Sequence, residues 1–304
     1  MAGIDFHSYY LGRRDSMDKV NSHLPENRVE PNDKLTKCIF DLDEEAIALG
    51  KFSIRESKSN KDAKTVINFT SECLGKLEKL DSYDREVAMA CFSLKESGNE
   101  YVTSEHLYRV MTGDTKARLY SAEEQRIKKS LERLISTSIR IELSALSKLG
   151  YKGENPELFG MVLPAQFVNN ITVNGSNAHI VIKFLGESPL VTVAKMKNNQ
   201  LLTYAIQFAN VGGRNSPERI ALKNYVLRRI EECRLHVQMS RTVTFSDVLK
   251  KNNLTDRNKG EKKRYRDFLI KCFEEWKRES VIVSYELIRS NDKAHGYRGI
   301  SFRF

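Results

Sequence analysis

Two groups of side chains in this sequence have the type and spacing to do chemistry, and both are cationic. At 100° per residue, Gln125, Arg126, Lys129 and Arg133 share one face of a helix, opposite an apolar stripe of Ile127, Leu131, Leu134 and Ile135. Guanidinium and amide groups so arrayed can bond guanine and adenine edges or hold phosphate oxygens. The second group, Lys259, Lys262, Lys263, Arg264 and Arg266, crowds the N-terminal half of another helix, while Glu274, Glu275 and Glu279 occupy its C-terminal half. The helix macrodipole favours the reverse order, and a polyanion at the N-terminal end accounts for the inversion. Arg289, Lys293, His295 and Arg298 make a nearby loop basic, and Lys148 and Lys152 do the same weakly for an earlier one. A plain solvated face is the alternative for each of these sets. The stripe Tyr265, Phe268, Leu269, Cys272 and Trp276 reads as core rather than as a stacking platform.

Other chemistries find little support. There is no G-x-x-x-x-G-K-[ST] phosphate loop and no H-E-x-x-H pair. The histidines His7, His23, His106, His179, His236 and His295 are scattered. Asp41, Asp43, Glu44 and Glu45 cluster at an expected helix start, where carboxylates belong. Tyr9-Tyr10 has no metal cluster to support a nicking tyrosine. The expectation is a protein without catalytic activity, metal or cofactor. The 5 cysteines contain no C-x-x-C pair; Cys91, Cys233 and Cys272 fall on apolar faces and read as reduced core thiols. No run of about 18 apolar residues occurs, and Met1–Gly12 lacks the order of a secretory signal, so a cytoplasmic location is expected.

The elements that must position the cations can be read from caps and periodicity. Asp81 and Ser82 cap a helix carrying Val87, Ala88, Cys91 and Leu94 that stops at Gly98. Thr103 caps a short second helix ending at Gly113, and Ser121 with Glu124 forms a capping box for the third. Ser138–Leu143 alternates as a strand and should open a wing hairpin, with residues 145–164 as its long loop. Val168–Val173 and His179–Leu185 flank the hairpin signal Asn174-Gly175. The order repeats: Ser216-Pro217 starts a helix, Thr242–Phe245 is a short strand entering a short helix, and a long helix runs to about Glu279. Val281–Leu287 and Gly299–Phe304 form the closing hairpin. The fold expected is α+β: two winged helix-turn-helix domains in tandem with a flexible N-terminal extension. The divisions are 1–35, a mobile tail; 36–80, an N-terminal extension; 81–212, a first winged-helix domain with extra strands; and 213–304, a second, basic one, with Gly212-Gly213 as a hinge.

Charge is distributed unevenly. Residues 1–213 carry 28 Lys/Arg against 28 Asp/Glu, and residues 214–304 carry 22 against 12, so the whole net charge of +10 sits in the last third. That asymmetry is the electrostatic footprint of a polyanion partner.

Tyr83-Asp-Arg-Glu-Val87, the run Gly98-Asn-Glu-Tyr-Val-Thr-Ser-Glu-His-Leu-Tyr-Arg-Val-Met-Thr-Gly113, Ser138–Glu142, Leu163-Pro-Ala165 and Tyr225–Ile230 resemble the replication-initiator-A-like proteins of Gram-positive plasmids and integrative elements. The resemblance covers most of residues 80–304 and little before them. It implies a theta-type plasmid initiator that binds repeated origin sequences in double-stranded DNA, melts adjacent duplex and recruits host replication proteins, as a monomer or homodimer. Composition and pattern reach DNA binding only. A transcriptional or copy-number repressor shares the same features, and a winged-helix protein-binding module of a mobile element is the alternative from another class.

Overall fold

The computed structural model describes residues 22–41, 51–55, 64–71, 79–143, 157–168, 172–173, 176–177, 180–196, 200–290 and 296–304. Asp81 caps the central helix as its sequence predicts. Its carboxylate accepts hydrogen bonds from the Tyr83 and Asp84 amides, and Asp84 reciprocates on the Asp81 amide, a complete capping box. This helix (Ser82–Glu96) is buried from Tyr83 to Leu94, so it lies inside the molecule rather than on one side of it. A short helix (Ser104–Thr112) follows, capped by Thr103 and closed by Gly113 in the left-handed region at φ +76°. A Cβ at Gly113 would stand 2.5 Å from the Ile206 carbonyl oxygen, so only glycine fits there. The next helix (Ser121–Ser136) buries Ile127, Leu131 and Leu134 as expected. Its start differs from the expected capping box. Tyr120 is the N-cap and supplies no side-chain acceptor, while Glu124 accepts from Ser104 Oγ at 2.9 Å.

Numbered in chain order, the helices are α1 (Lys34–Phe40), α2 (Ser82–Glu96), α3 (Ser104–Thr112), α4 (Ser121–Ser136), α5 (Pro189–Met196), α6 (Pro217–Leu235), α7 (Phe245–Lys251) and α8 (Lys259–Arg278). The strands are β1 (Asn27–Pro31), β2 (Lys51–Arg55), β3 (Lys64–Ser71), β4 (Tyr101–Thr103), β5 (Thr137–Leu143), β6 (Glu157–Met161), β7 (Ala165–Val168), β8 (Thr172–Val173), β9 (Ser176–Asn177), β10 (Val181–Phe184), β11 (Leu201–Ala205), β12 (Thr242–Thr244), β13 (Ser284–Arg289) and β14 (Tyr297–Arg303). All pairings are antiparallel, so the fold is a mixed α+β arrangement of helices and small antiparallel sheets.

Two sheets share one plan. In the first, β4–β10–β7, Ile182 pairs with both Val102 and Phe167. In the second, β12–β14–β13, Ile300 pairs with both Val243 and Leu287. In each, a short strand enters the second of three helices, and the sheet's last strand in sequence lies in the middle. The closing hairpin of the first module is therefore β7 with β10, and β8 pairs with β9 at its end, on either side of the Asn174-Gly175 turn signal.

Ser138–Leu143 does open a hairpin, since β5 pairs antiparallel with the next strand, β6. What differs is its setting: β5 and β6 join β2 and β3 in a separate sheet of order β2–β3–β5–β6, which lies in the chain between α4 and the β7–β10 pair. Alternation of buried Ile139 and Ile141 specifies which face of a strand is covered, not which strand pairs with it. The expected loop 145–164 is likewise corrected at its end, since 157–161 are β6; Lys148 and Lys152 lie outside the described residues.

The stretch 22–35 is not a tail. β1 pairs with β11, and Asp33 caps α1. Arg28 and Glu30 are fully buried, and Arg28 donates to Glu86 on α2. Glu30 accepts from Tyr204 at 2.6 Å, and Arg228 on α6 donates to both Glu86, at 2.7 Å, and Glu30, at 3.2 Å. These charges face one another across the two modules and make the segment polar in sequence while it is core in structure.

The modules are also joined at α3 and α6. Lys223 Nζ donates to the Thr112 carbonyl at 3.1 Å and to Asn215 Oδ1 at 2.7 Å, and Asn224 Nδ2 donates to the Met111 carbonyl at 3.0 Å. Those carbonyls end α3 and have no partner within their own helix. Gly212, expected in a hinge, is buried against α8: at φ +80°, a Cβ would fall 2.3 Å from the Phe268 ring, and its amide donates to Glu275 at 2.7 Å. Such packing makes it a seat for the helix. The core behind α8 holds Phe268, Leu269, Cys272, Phe273 and Trp276, whose Nε1 donates to the Phe208 carbonyl at 2.7 Å. Cys38, Cys91, Cys233 and Cys272 are free thiols.

Candidate nucleic-acid interface

The sequence that builds α8 separates two tasks by position. Asn258 and Glu261 form a capping box, so the helix start is satisfied by one amide and one acid. The acids of the C-terminal half have internal partners. Glu275 accepts from the Gly212 amide, and Glu274 accepts from the Tyr285 hydroxyl at 3.4 Å. This explains the acidic end of the inverted charge order without reference to any ligand.

The basic end has no such explanation. Lys259, Lys263 and Arg264 are exposed and Lys262 is half-buried, and none of the four makes an ion pair among the described residues. Arg266, also half-buried, donates from Nε to the Lys262 carbonyl at 3.3 Å. Beside these residues runs a groove between α8, α7 and the β13–β14 hairpin. One part, about 470 Å³, lies between Lys262, Arg266, Phe245 and Arg298; the other, about 650 Å³, lies between Lys259, Lys263, Arg266 and Tyr297. Arg266 and Tyr297 line both parts, and Asp267 is the acidic residue on the walls. Arg298 and Arg289 are exposed on the hairpin. The structure thus brings together Lys259, Lys262, Lys263, Arg266 and Arg298. Lys293, and with it His295, lies outside the described residues.

In the first module, Gln125, Arg126 and Lys129 are exposed on α4, as a reading helix requires. Arg133 is not available in that way. Its guanidinium is bidentate on the buried Asp84 carboxylate, with Nε to Oδ2 at 3.0 Å, and Ser130 Oγ donates to the same group. Burial and Asp81 push the Asp84 pKa up to about 6, opposed by Arg133 and Ser130. An arginine covering a buried carboxylate holds α4 against α2 and is a structural residue. The helical wheel could not reveal this, because Asp84 lies 49 residues earlier. The face left on α4 carries Arg126 and Lys129 beside Lys128, which is paired to Glu132 at 3.9 Å. On the adjoining sheet, Lys183 pairs with Glu100 at 3.1 Å and lies over the Tyr101 ring.

Sequence reasoning missed a second set of arginines. Arg214 and Arg219, at the start of α6, line a shallow cavity with Arg264 and extend the basic surface of α8. The Arg219 guanidinium sits 5.0 Å from the centroid of the Phe268 ring. The concentration of charge after residue 213 was the available signal. Among the described residues, no group of three His, Cys, Asp or Glu is placed to hold a metal ion, and no helix is long and apolar enough to cross a membrane.

No family model matches the chain, and no curated protein matches it. Two crystal structures of domains 2 and 3 of RctB are similar in structure. One aligns over 83% of this chain and 89% of its own at a TM-score of 0.41, the other over 84% and 92% at 0.42, each with 11% sequence identity.

Proposed function

We propose that this chain is a tandem winged-helix protein that binds double-stranded DNA, with the second module supplying most of the electrostatic attraction. Helix α8 enters the major groove by its N-terminal half, and the β13–β14 hairpin reaches the flanking phosphates as a wing. The observation that carries this reading is the set of cations at the start of α8 facing a groove closed by a basic hairpin, of which Lys259, Lys262 and Lys263 make no ion pair among the described residues. Gln125, Arg126 and Lys129 on α4 contact a second major groove, through base edges more than through charge. The shared strand plan of the two modules supports a winged helix in each. No group in the proposed interface is assigned a catalytic role.

Replication initiation at repeated origin sequences of a plasmid or mobile element, with host replication proteins as partners, rests on the sequence resemblance alone. A repressor of the same fold would bind an inverted repeat as a symmetric dimer. Selection of bound fragments by the full chain, from random DNA and from DNA flanking its gene, separates these. Direct repeats beside the gene are the expected result, and inverted repeats would move the assignment to repression. No enrichment at low or moderate salt would overturn DNA binding and favour a protein-binding module.

A further inference from the structure

A cavity of about 200 Å³ lies at the junction of α1, α2, α6 and α7, away from the proposed DNA groove. Its walls hold five cations and two carboxylates. Four of the cations are matched. Lys37 bonds Glu232 at 2.6 Å, Arg229 reaches the same carboxylate at 3.4 Å, Lys251 bonds Asp41 at 2.7 Å, and Arg228 is held by Glu30 and Glu86. Arg85 is the exception. It is 7% exposed, it lines this cavity, and its Nε has no hydrogen-bond partner. Among the described residues it makes no ion pair. Burial, with Arg228 alongside, pushes its guanidinium below the usual arginine value, opposed by Glu30, Glu86 and Asp41.

A buried guanidinium whose Nε lacks a hydrogen bond is costly, and such groups persist where a partner satisfies them. Here the donors are the Arg85 guanidinium, flanked by the Arg229 guanidinium and the Lys251 amine, the volume admits one tetrahedral oxyanion, and the local charge is positive. We infer that this cavity is a binding site for a phosphate group of a small molecule, anchored by Arg85 and supported by Arg229 and Lys251. The site spans residues from both modules, so its occupant ties α1 and α2 to α6 and α7. The inference does not depend on DNA binding.

Thermal unfolding of the full chain in chloride buffer, with and without inorganic phosphate, tests it. Phosphate at ten times its dissociation constant is expected to raise the unfolding midpoint of the wild type by about 3 °C. Arg85→Met should unfold no lower than wild type without phosphate, since it removes an unmatched buried charge, and should gain nothing from phosphate beyond a general salt effect. Lys251→Gln, at the exposed rim, should keep the wild-type midpoint without phosphate and show weaker saturation. An equal phosphate response in wild type and Arg85→Met, or none in either, would overturn the proposal. So would an Arg85→Met protein that is less stable than wild type in phosphate-free buffer. Duplex affinity separates the free anion from a DNA phosphate: it should be unchanged by Arg85→Met. A shallower salt dependence in that variant, without a response to free phosphate, would contradict a small-molecule site.

Discussion

Reversing two charges on α8, in the variant Lys263→Glu with Arg264→Glu, bears directly on how the groove holds its ligand. Both residues are exposed, and neither makes an ion pair among the described residues, so folding should change by no more than about 0.5 kcal/mol. Their acidic replacements also lie nearer the positive end of the helix dipole than its negative end. If each cation neutralises one phosphate, each contributes about 0.9 to the slope of log affinity against log salt. Extrapolated from 1 M to 0.1 M salt, that is nearly tenfold per contact, so losing both costs roughly 60- to 100-fold, or about 2.5 kcal/mol. Repulsion from the new carboxylates adds to the loss. The assay is fluorescence anisotropy of a labelled duplex at several salt concentrations, with circular dichroism to establish that the variant is folded. The loss should be similar for all sequences, because phosphate contacts carry no sequence information. A folded variant with wild-type affinity at low salt would refute the placement of α8 on DNA.

Three further outcomes follow from the geometry. Replacing Gln125 or Arg126 with Ala should alter sequence preference by about 1–3 kcal/mol per lost bidentate contact, read by competition between selected and scrambled duplexes; unchanged selectivity would remove α4 as a reader. Arg133→Ala should instead lower the denaturation midpoint, by roughly 3–5 kcal/mol of stability if Asp84 stays charged, because it strips a buried carboxylate of its ion pair; duplex selectivity should be retained. Burial lowers the Lys223 pKa to about 8, below the ordinary lysine value of 10.5, so the folded state binds fewer protons than the unfolded chain between those values. Stability should therefore rise with pH across that window, by up to about 3 kcal/mol, and the rise should be absent in Lys223→Met when the two proteins are compared by chemical denaturation.

What the sequence made legible was local. Asp81, Thr103 and Ser216 mark helix starts through side-chain oxygens that the structure places on the first-turn amides. The stripe from Phe268 to Trp276 is core because its period matches one helix face. Three features were not legible, each for a non-local reason. The pairing of β5 with β3 depends on an N-terminal segment that alternation cannot name. β1 is buried through Arg28 and Glu30, whose partners Glu86 and Arg228 are distant in the chain, so a hydrophobicity pattern classifies it as solvent-exposed. Arg133 looks like a surface cation until Asp84 is brought beneath it. In the interface itself, the cations of α8 could be found by counting, whereas their convergence with Tyr297 and Arg298 required the hairpin's register on β12 and β13.

The salt dependence of duplex binding by the unmodified full chain tests the central claim most directly. Lys259, Lys262, Lys263, Arg264, Arg266 and Arg298 together predict a slope of about −5 in log affinity against log salt. A slope near zero, with the protein folded throughout, would contradict the claim that the basic surface of α8 and its hairpin binds DNA.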